Sequence, residues 1–178
     1  LSDLTTEVAV ISLNGVVTKK AIKVAGDVMD HDIQNWFRNN HRLEIGDRTA
    51  EQIKISVGSA MRSRSKNILV KGRDLVSGIP KTIDIRSDEI RQALKDSVKR
   101  ILEVVKDALE STPPELSSDI IDRGILVAGG GAQLRGLDQV IREKTNVPCN
   151  VVEEPHLAIV KGCGKIIEDL EKYKHVLI

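Results

Sequence analysis

The sequence predicts an α/β fold carrying a small α+β insertion, and three stretches predict it. Gly124 to Asp138 reads as strand, glycine turn and helix. Ile125 to Ala128 form a short apolar run, as in a strand buried on both faces, and Gly129, Gly130 and Gly131 break it ahead of a helix from Gln133 to Lys144. Thr5 to Val24 reads as a β-hairpin, with Asn14-Gly15 as a type I′ turn between strands Thr5 to Leu13 and Val16 to Val24. Ser87 to Ser111 repeats apolar residues at three- and four-residue intervals, from Ile90, Leu94 and Val98 to Ile101, Val105 and Leu109, the pattern of an amphipathic core helix.

Composition bounds what such a chain can do. Its 178 residues suffice for one ordinary domain or two small subdomains. At 40% hydrophobic and 30% charged it falls among soluble globular proteins. Aromatics make up only 2%, namely Trp36, Phe37 and Tyr173, so the core must be built from Val, Ile, Leu and Ala. A net charge of +1 sets up no field for nucleic acid or an anionic membrane, and single-strand stacking lacks its platforms. Cys149 and Cys163 make no disulfide framework, so a reducing cytoplasm is expected. No apolar run reaches the ~18 residues of a membrane span, and no signal peptide opens the chain. His31, His41, His156 and His175 share no ligand spacing, so no metal site is expected.

The remaining elements follow from local chemistry. Asp27 is placed to cap a helix from Val28 to about Asn39, and Asp30-His31-Asp32 reads as first-turn acids complementing its dipole. Thr49 and Gln52 match a capping box for a helix through Val57, with Ile53 and Val57 facing inward. Glu51 and Lys54, three apart, share its polar face and read from spacing alone as an exposed ion pair. Met61 to Asn67 is a basic, aperiodic loop. Ile68 to Arg73 and Lys81 to Ile85 are short strands punctuated by Gly72, Gly78 and Pro80. Thr112-Pro113-Pro114 stops the long helix, and Glu115 to Ile121 adds a helical turn. Val147 to Val152 is a strand that starts or lies at an edge because of Pro148. A last helix, His156 to Glu171, is expected to bend near Gly162 and Gly164, and the tail from Lys172 carries no signal. Residues 28–87 thus read as a small insertion between the hairpin and the long helix.

The glycine turn is the candidate site. Such a turn aims free N–H groups and a helix N-terminus at one spot, where anions bind. By itself the pattern fits an anion site and an unliganded tight turn equally. The dinucleotide pattern fails at Leu134, and a Walker pattern fails at Gly164-Lys165, where Ile166 and Ile159 stand in place of Ser/Thr and the first glycine. A nucleotide site here must be of another kind.

Several longer stretches carry a more specific signal. Thr5-Thr6-Glu7-Val8-Ala9-Val10-Ile11-Ser12, Ala25-Gly26-Asp27, and Ile45 to Lys54 run in order with Gly72 to Pro80, Thr112 to Leu116, and Asp122 to Asp138. Together they resemble the second lobe of the MreB family of bacterial actins, over roughly residues 5 to 168. The resemblance implies an actin-like ATPase fold, half of a two-lobed molecule, with a ribonuclease H-like inner subdomain (1–27 and 88–178) and an α+β outer one (28–87). For the complete protein it implies a nucleotide, ATP or ADP with Mg²⁺, and head-to-tail self-association into filaments at the inner face of the membrane; for this half alone, nucleotide binding is expected to be weak or absent. Partners would be cell-shape and wall-synthesis proteins. Gly129, Gly130, Gly131 and Ala132 match the loop beneath the adenosine and phosphates. Glu51 and Lys54 match a clamp on the adenosine, Glu51 accepting from ribose hydroxyls and the Lys54 stem covering the base. No catalytic residue is assigned.

The departures shape what is expected. The family has Asp-x-Gly-Gly-Gly-Thr just before Thr-Glu-Val-Ala, holding the β- and γ-phosphates, whereas here Asp3-Leu4 runs straight into Thr5-Thr6. The first lobe, with its phosphate hairpin, Mg²⁺ side and membrane contact, has no counterpart in this sequence. The chain therefore reads as a fragment cut or rejoined near Asp3, expected neither to hydrolyse ATP nor to form long filaments alone. Two other readings stay open: another ATPase of the superfamily, such as a sugar kinase or heat-shock chaperone, and a nucleotide-free interaction scaffold.

Overall fold

A computed structural model describes residues 4–13, 15–62, 64 and 66–174. The element order is β1 (Thr6–Ser12), β2 (Gly15–Ile22), α1 (Gly26–His41), β3 (Leu43–Glu44), α2 (Asp47–Val57), β4 (Asn67–Asp74) and β5 (Pro80–Arg86). Then follow α3 (Ser87–Ala93), α4 (Lys95–Glu110), α5 (Pro114–Arg123), β6 (Ile125–Val127), α6 (Leu137–Thr145), β7 (Cys149–Val151) and α7 (Ala158–Glu168). Short 3-10 turns occupy Gly130–Gln133 and Pro155–Leu157. The described strands form three sheets: antiparallel β1-β2, antiparallel β3-β4-β5 and parallel β6-β7.

The hairpin forms as expected, but its turn sits one residue earlier. Ser12 pairs with Gly15, so the loop is Leu13 and Asn14. Leu13 takes the left-handed conformation at φ 49°, while Asn14 lies outside the described residues. A register shift between Val10 and Ile11 gives β2 one extra residue there, a β-bulge.

Both predicted helix caps are displaced. Helix α1 begins at Gly26 with Ala25 as N-cap, and Asp27 lies inside its first turn. Asp30 and Asp32 lie beyond that turn, so they do not serve the dipole; each is bonded to a side chain from another helix. Helix α2 begins at Asp47 after Gly46, which puts Thr49 inside the helix instead of at its cap, and no side chain caps it. Glycine at that position leaves the first amides to solvent or other partners. Helix α2 buries Ala50, Ile53 and Val57, the face its spacing predicts with Ala50 added.

The long helix is interrupted at Leu94, whose ψ of −4° relaxes the backbone between α3 and α4. Leu94 N–H still donates to the Ile90 carbonyl and Val98 N–H to that of Leu94, both at 3.0 Å, so the two pieces behave as one bent rod. Helix α4 packs across β1 and β2 and against α6, which in turn packs on β7. A continuous core joins Met29, Ile33 and Phe37 of α1 with Leu43, Val70, Ile85, Ile101, Val105, Leu137 and Ile141. Strand β6 is not buried on both faces as expected: Leu126 is 70% exposed, because β6 pairs only with β7 among the described residues and its second face is uncovered. Helix α7 runs without a break through Gly162 and Gly164, since helical backbone tolerates isolated glycines at a modest entropic cost. Among the described residues no helix is long and apolar enough to cross a membrane.

The turn between β4 and β5 is organised by one carboxylate. Asp74 accepts from Lys81 Nζ at 2.8 Å and from the amides of Val76 and Ser77, each at 2.9 Å. Lys81 first, then the Ser77 and Val76 amides, hold its carboxyl well below the usual range. A carboxylate depressed in the folded state stabilises it above the unfolded pKa of about 4, and that contribution is lost as pH falls through the folded value. Urea unfolding across an acid series is therefore expected to show lower stability for Asp74→Asn at neutral pH and a shallower decline below about pH 5. Parallel pH profiles for the two proteins would contradict this.

Candidate functional site

The glycine turn is built by its flanks. Gly129 sits at φ 88°, ψ 174°, a region essentially reserved for glycine, and its N–H donates to the Pro155 carbonyl at 2.7 Å. This bond docks the Pro155–Leu157 turn onto the Gly130–Gln133 turn, and Gln133 Nε2 meets His156 Nδ1 at 3.4 Å. Ala132 is buried, and its amide is spent on the Gly129 carbonyl at 3.2 Å. The amides of Gly130 and Gly131 have no protein partner among the described residues. A Cβ added to Gly129, Gly130 or Gly131 would meet no atom within 4 Å. Gly130 and Gly131 are both exposed, so the turn leaves two N–H groups at the surface without a partner among the described residues. Helix α6 does not start there, as the sequence suggested, but at Leu137 behind Gly136; the 3-10 turn intervenes and carries the amides instead.

Glu51 and Lys54 are not paired with each other. Lys54 Nζ donates to Asp30 Oδ2 at 2.7 Å and to the Gly26 carbonyl at 3.0 Å, tying α2 to the start of α1. The Lys54 and Asp30 side chains are 17% and 16% exposed. Burial raises the Asp30 carboxyl above its ordinary range, and the Lys54 hydrogen bond and charge work against that. Glu51 is exposed and has no partner among the described residues. Both line a cavity of about 460 Å³ between α1 and α2, together with Asp27, Asp30, Asp47 and Arg48. The glycine turn does not line it.

What connects the two parts is the end of α2. Arg135, four residues past Gly131, donates from Nη2 to the Ser56 carbonyl at 2.6 Å. Its own carbonyl accepts from Ala60 N–H at 2.9 Å and from Ser59 Oγ at 3.2 Å. Ser59 and Arg135 form an isolated parallel bridge. At Gly58 an added Cβ would lie 2.3 Å from the Lys54 carbonyl and 3.3 Å from Leu134 Cδ1, so glycine lets the helix end close on this turn. Sequence reasoning missed this clasp, as it missed Asp30, Asp47 and Arg48 at the cavity: their partners are distant in sequence, and no local spacing reports them. Among the described residues no three His, Cys, Asp or Glu side chains converge to hold a metal ion.

Comparison with known proteins bears on this arrangement. The structure superposes on MreB5 of Spiroplasma citri bound to ADP with a TM-score of 0.91 and 35% identity, covering 97% of this chain and 53% of that one. It superposes on the MamK double helical filament with a TM-score of 0.78 and 22% identity, covering 94% of this chain and 52% of that one, a likeness that speaks for the fold alone. The α/β fold is therefore that of half an actin-like molecule. The family model described as MreB/Mbl protein matches residues 3–175, and the chain belongs to that family. The cell shape-determining protein Mbl of Bacillus subtilis is 46% identical over 169 residues, which are 94% of this chain. The chain spans about half the length of the curated relatives it matches, 51% in the case of Mbl.

The turn's geometry separates its glycines. Gly129→Ala is expected to cost about 1–3 kcal/mol in urea unfolding, because alanine cannot relax at that φ,ψ. Gly130→Ala, inside a 3-10 turn facing open space, should change stability by less than about 1 kcal/mol. Equal losses at the two positions would contradict the assignment.

Proposed function

We propose that the chain is the second lobe of a nucleotide-controlled filament subunit serving cell shape and wall synthesis. It provides one side of an ATP or ADP site and one of the faces through which subunits associate. In this reading residues 1–27 and 88–178 form a ribonuclease H-like inner subdomain, and residues 28–87 form the outer one.

The observation that carries the reading is the coexistence, on one hydrogen-bonded frame, of bare amides and an unpaired acceptor. Gly130 and Gly131 offer N–H donors at the surface, suited to phosphate oxygens. Glu51, with no protein partner, is free to accept from ribose hydroxyls. Lys54 has both its strong bonds committed to the protein, so it offers its methylene stem as an apolar cover for a purine face. The Arg135 clasp holds helix and turn together. Mg²⁺ would enter with the phosphates of the nucleotide, whose charge it neutralises. That a relative was solved with ADP and that an actin-like protein of the same fold is a filament both support this reading.

Calorimetric titration with ADP tests it. The chain is expected to bind ADP, with Glu51→Ala weakening affinity about tenfold or more through loss of a charged acceptor. Gly130→Asp should abolish binding by setting a carboxylate against the phosphates. No heat of binding would overturn the proposal in favour of a nucleotide-free scaffold, and equal affinity in all three proteins would overturn it by showing that ADP is held by other residues.

A further inference from the structure

We propose that Asp30 is the positioning residue of this site, anchoring the Lys54 ammonium so that the lysine serves a bound nucleotide with its stem and not its charge. The inference rests on the nucleotide reading above. The Lys54 ammonium has three donors, two of them taken by Asp30 Oδ2 and the Gly26 carbonyl. A lysine held at both ends, by its Cα on α2 and its Nζ on α1, cannot swing toward a phosphate. From this tethered position Lys54 lines the cavity between α1 and α2.

Asp30 has little other reason to stand where it does. It lies beyond the first turn of α1, out of range of the helix dipole, and its second oxygen, Oδ1, is buried without a partner. A buried acceptor left unmet costs free energy, and Asp27 and Glu51 raise that cost by like-charge repulsion. As a device for stability alone, the pair is a poor choice against two apolar residues of the same volume. As an anchor it makes sense: the charge-assisted bond is short and directional, and it fixes one rotamer of a side chain that otherwise has many. The remaining cation at the cavity, Arg48, is exposed and unpaired among the described residues, so the site keeps a positive charge without Lys54.

The test uses the full chain and two readouts. Without nucleotide, acylation of individual lysines by acetic anhydride is followed by mass spectrometry. Lys54 is expected to react about tenfold more slowly than exposed Lys106, and Asp30→Asn to remove most of that protection. With ADP, calorimetry is expected to show affinity falling about tenfold in Asp30→Asn. In the double variant Asp30→Asn/Lys54→Met affinity should return to within about threefold of the unsubstituted chain, because methionine keeps an apolar stem that needs no anchor. A purely structural Asp30 would leave the double variant as weak as Asp30→Asn. A Lys54 that reacts like Lys106 in the unsubstituted protein overturns the proposal without any variant having to fold. ADP binding that is unchanged in Asp30→Asn overturns this inference and leaves the nucleotide reading standing. Absence of ADP binding in the unsubstituted chain overturns both.

Discussion

The clasp between Arg135 and the end of α2 is the constraint on which the site depends. It crosses from residues 56–60 to residue 135 by three hydrogen bonds, two of them to one carbonyl. Neither partner segment is regular structure: one is a helix terminus, the other the stretch between a 3-10 turn and α6. Groups of that kind must find hydrogen bonds somewhere when they are shielded from water, and here they find them in each other. Gly58 lets the approach happen, since a side chain there would collide with the last turn of its own helix. Because α2 carries Glu51 and Lys54, and the other partner continues directly from the glycine turn, the clasp makes two sequence-distant pieces a single frame.

Beneath that frame lies a core almost without aromatic residues. Phe37 is fully buried, and apart from Met29 and Cys149 the rest is aliphatic, contributed by helix faces of three- and four-residue spacing and by strand residues such as Leu43, Val70 and Ile85. Close packing of such side chains resists small displacements, which suits helices that must hold a cavity open between them. Polar ties supplement it where helices meet: Ser97 Oγ donates to Asp32 Oδ2 at 2.5 Å between α4 and α1, and His41 Nε2 meets Glu89 Oε2 at 2.8 Å between α1 and α3. The α1 helix thus contacts α2, α3 and α4.

Much of this was legible in the sequence, for physical reasons that also explain the rest. The apolar faces of α2, α3 and α4 could be read because burial imposes a period. Strands β4 and β5 could be read because Gly and Pro punctuate them. The hairpin is legible from its two apolar strands, though its turn sits one residue earlier than Asn14-Gly15 suggests, because the register is settled by strand pairing, which holds Leu13 at φ 49° against its preference. The caps of α1 and α2 were misplaced because backbone and glycine start those helices, and side-chain signals such as Asp27 and Thr49 were decoys. Asp30 reads locally as an acid serving the dipole; its partner is 24 residues away, beyond any local rule. The glycine turn was read correctly as a break, but the intervening 3-10 turn, which takes the place of a helix N-terminus, leaves no mark in the sequence.

In the proposed function one nucleotide spans the glycine turn and the cavity wall of α2, two features that the structure joins through Arg135 and not through a shared pocket. Amide chemical shifts recorded during titration of the isotope-labelled chain with ADP test this most directly. Gly130 and Gly131 are expected to shift together with Glu51 and Lys54, along one saturation curve. Shifts confined to either group, or two groups saturating at different ADP concentrations, would contradict it.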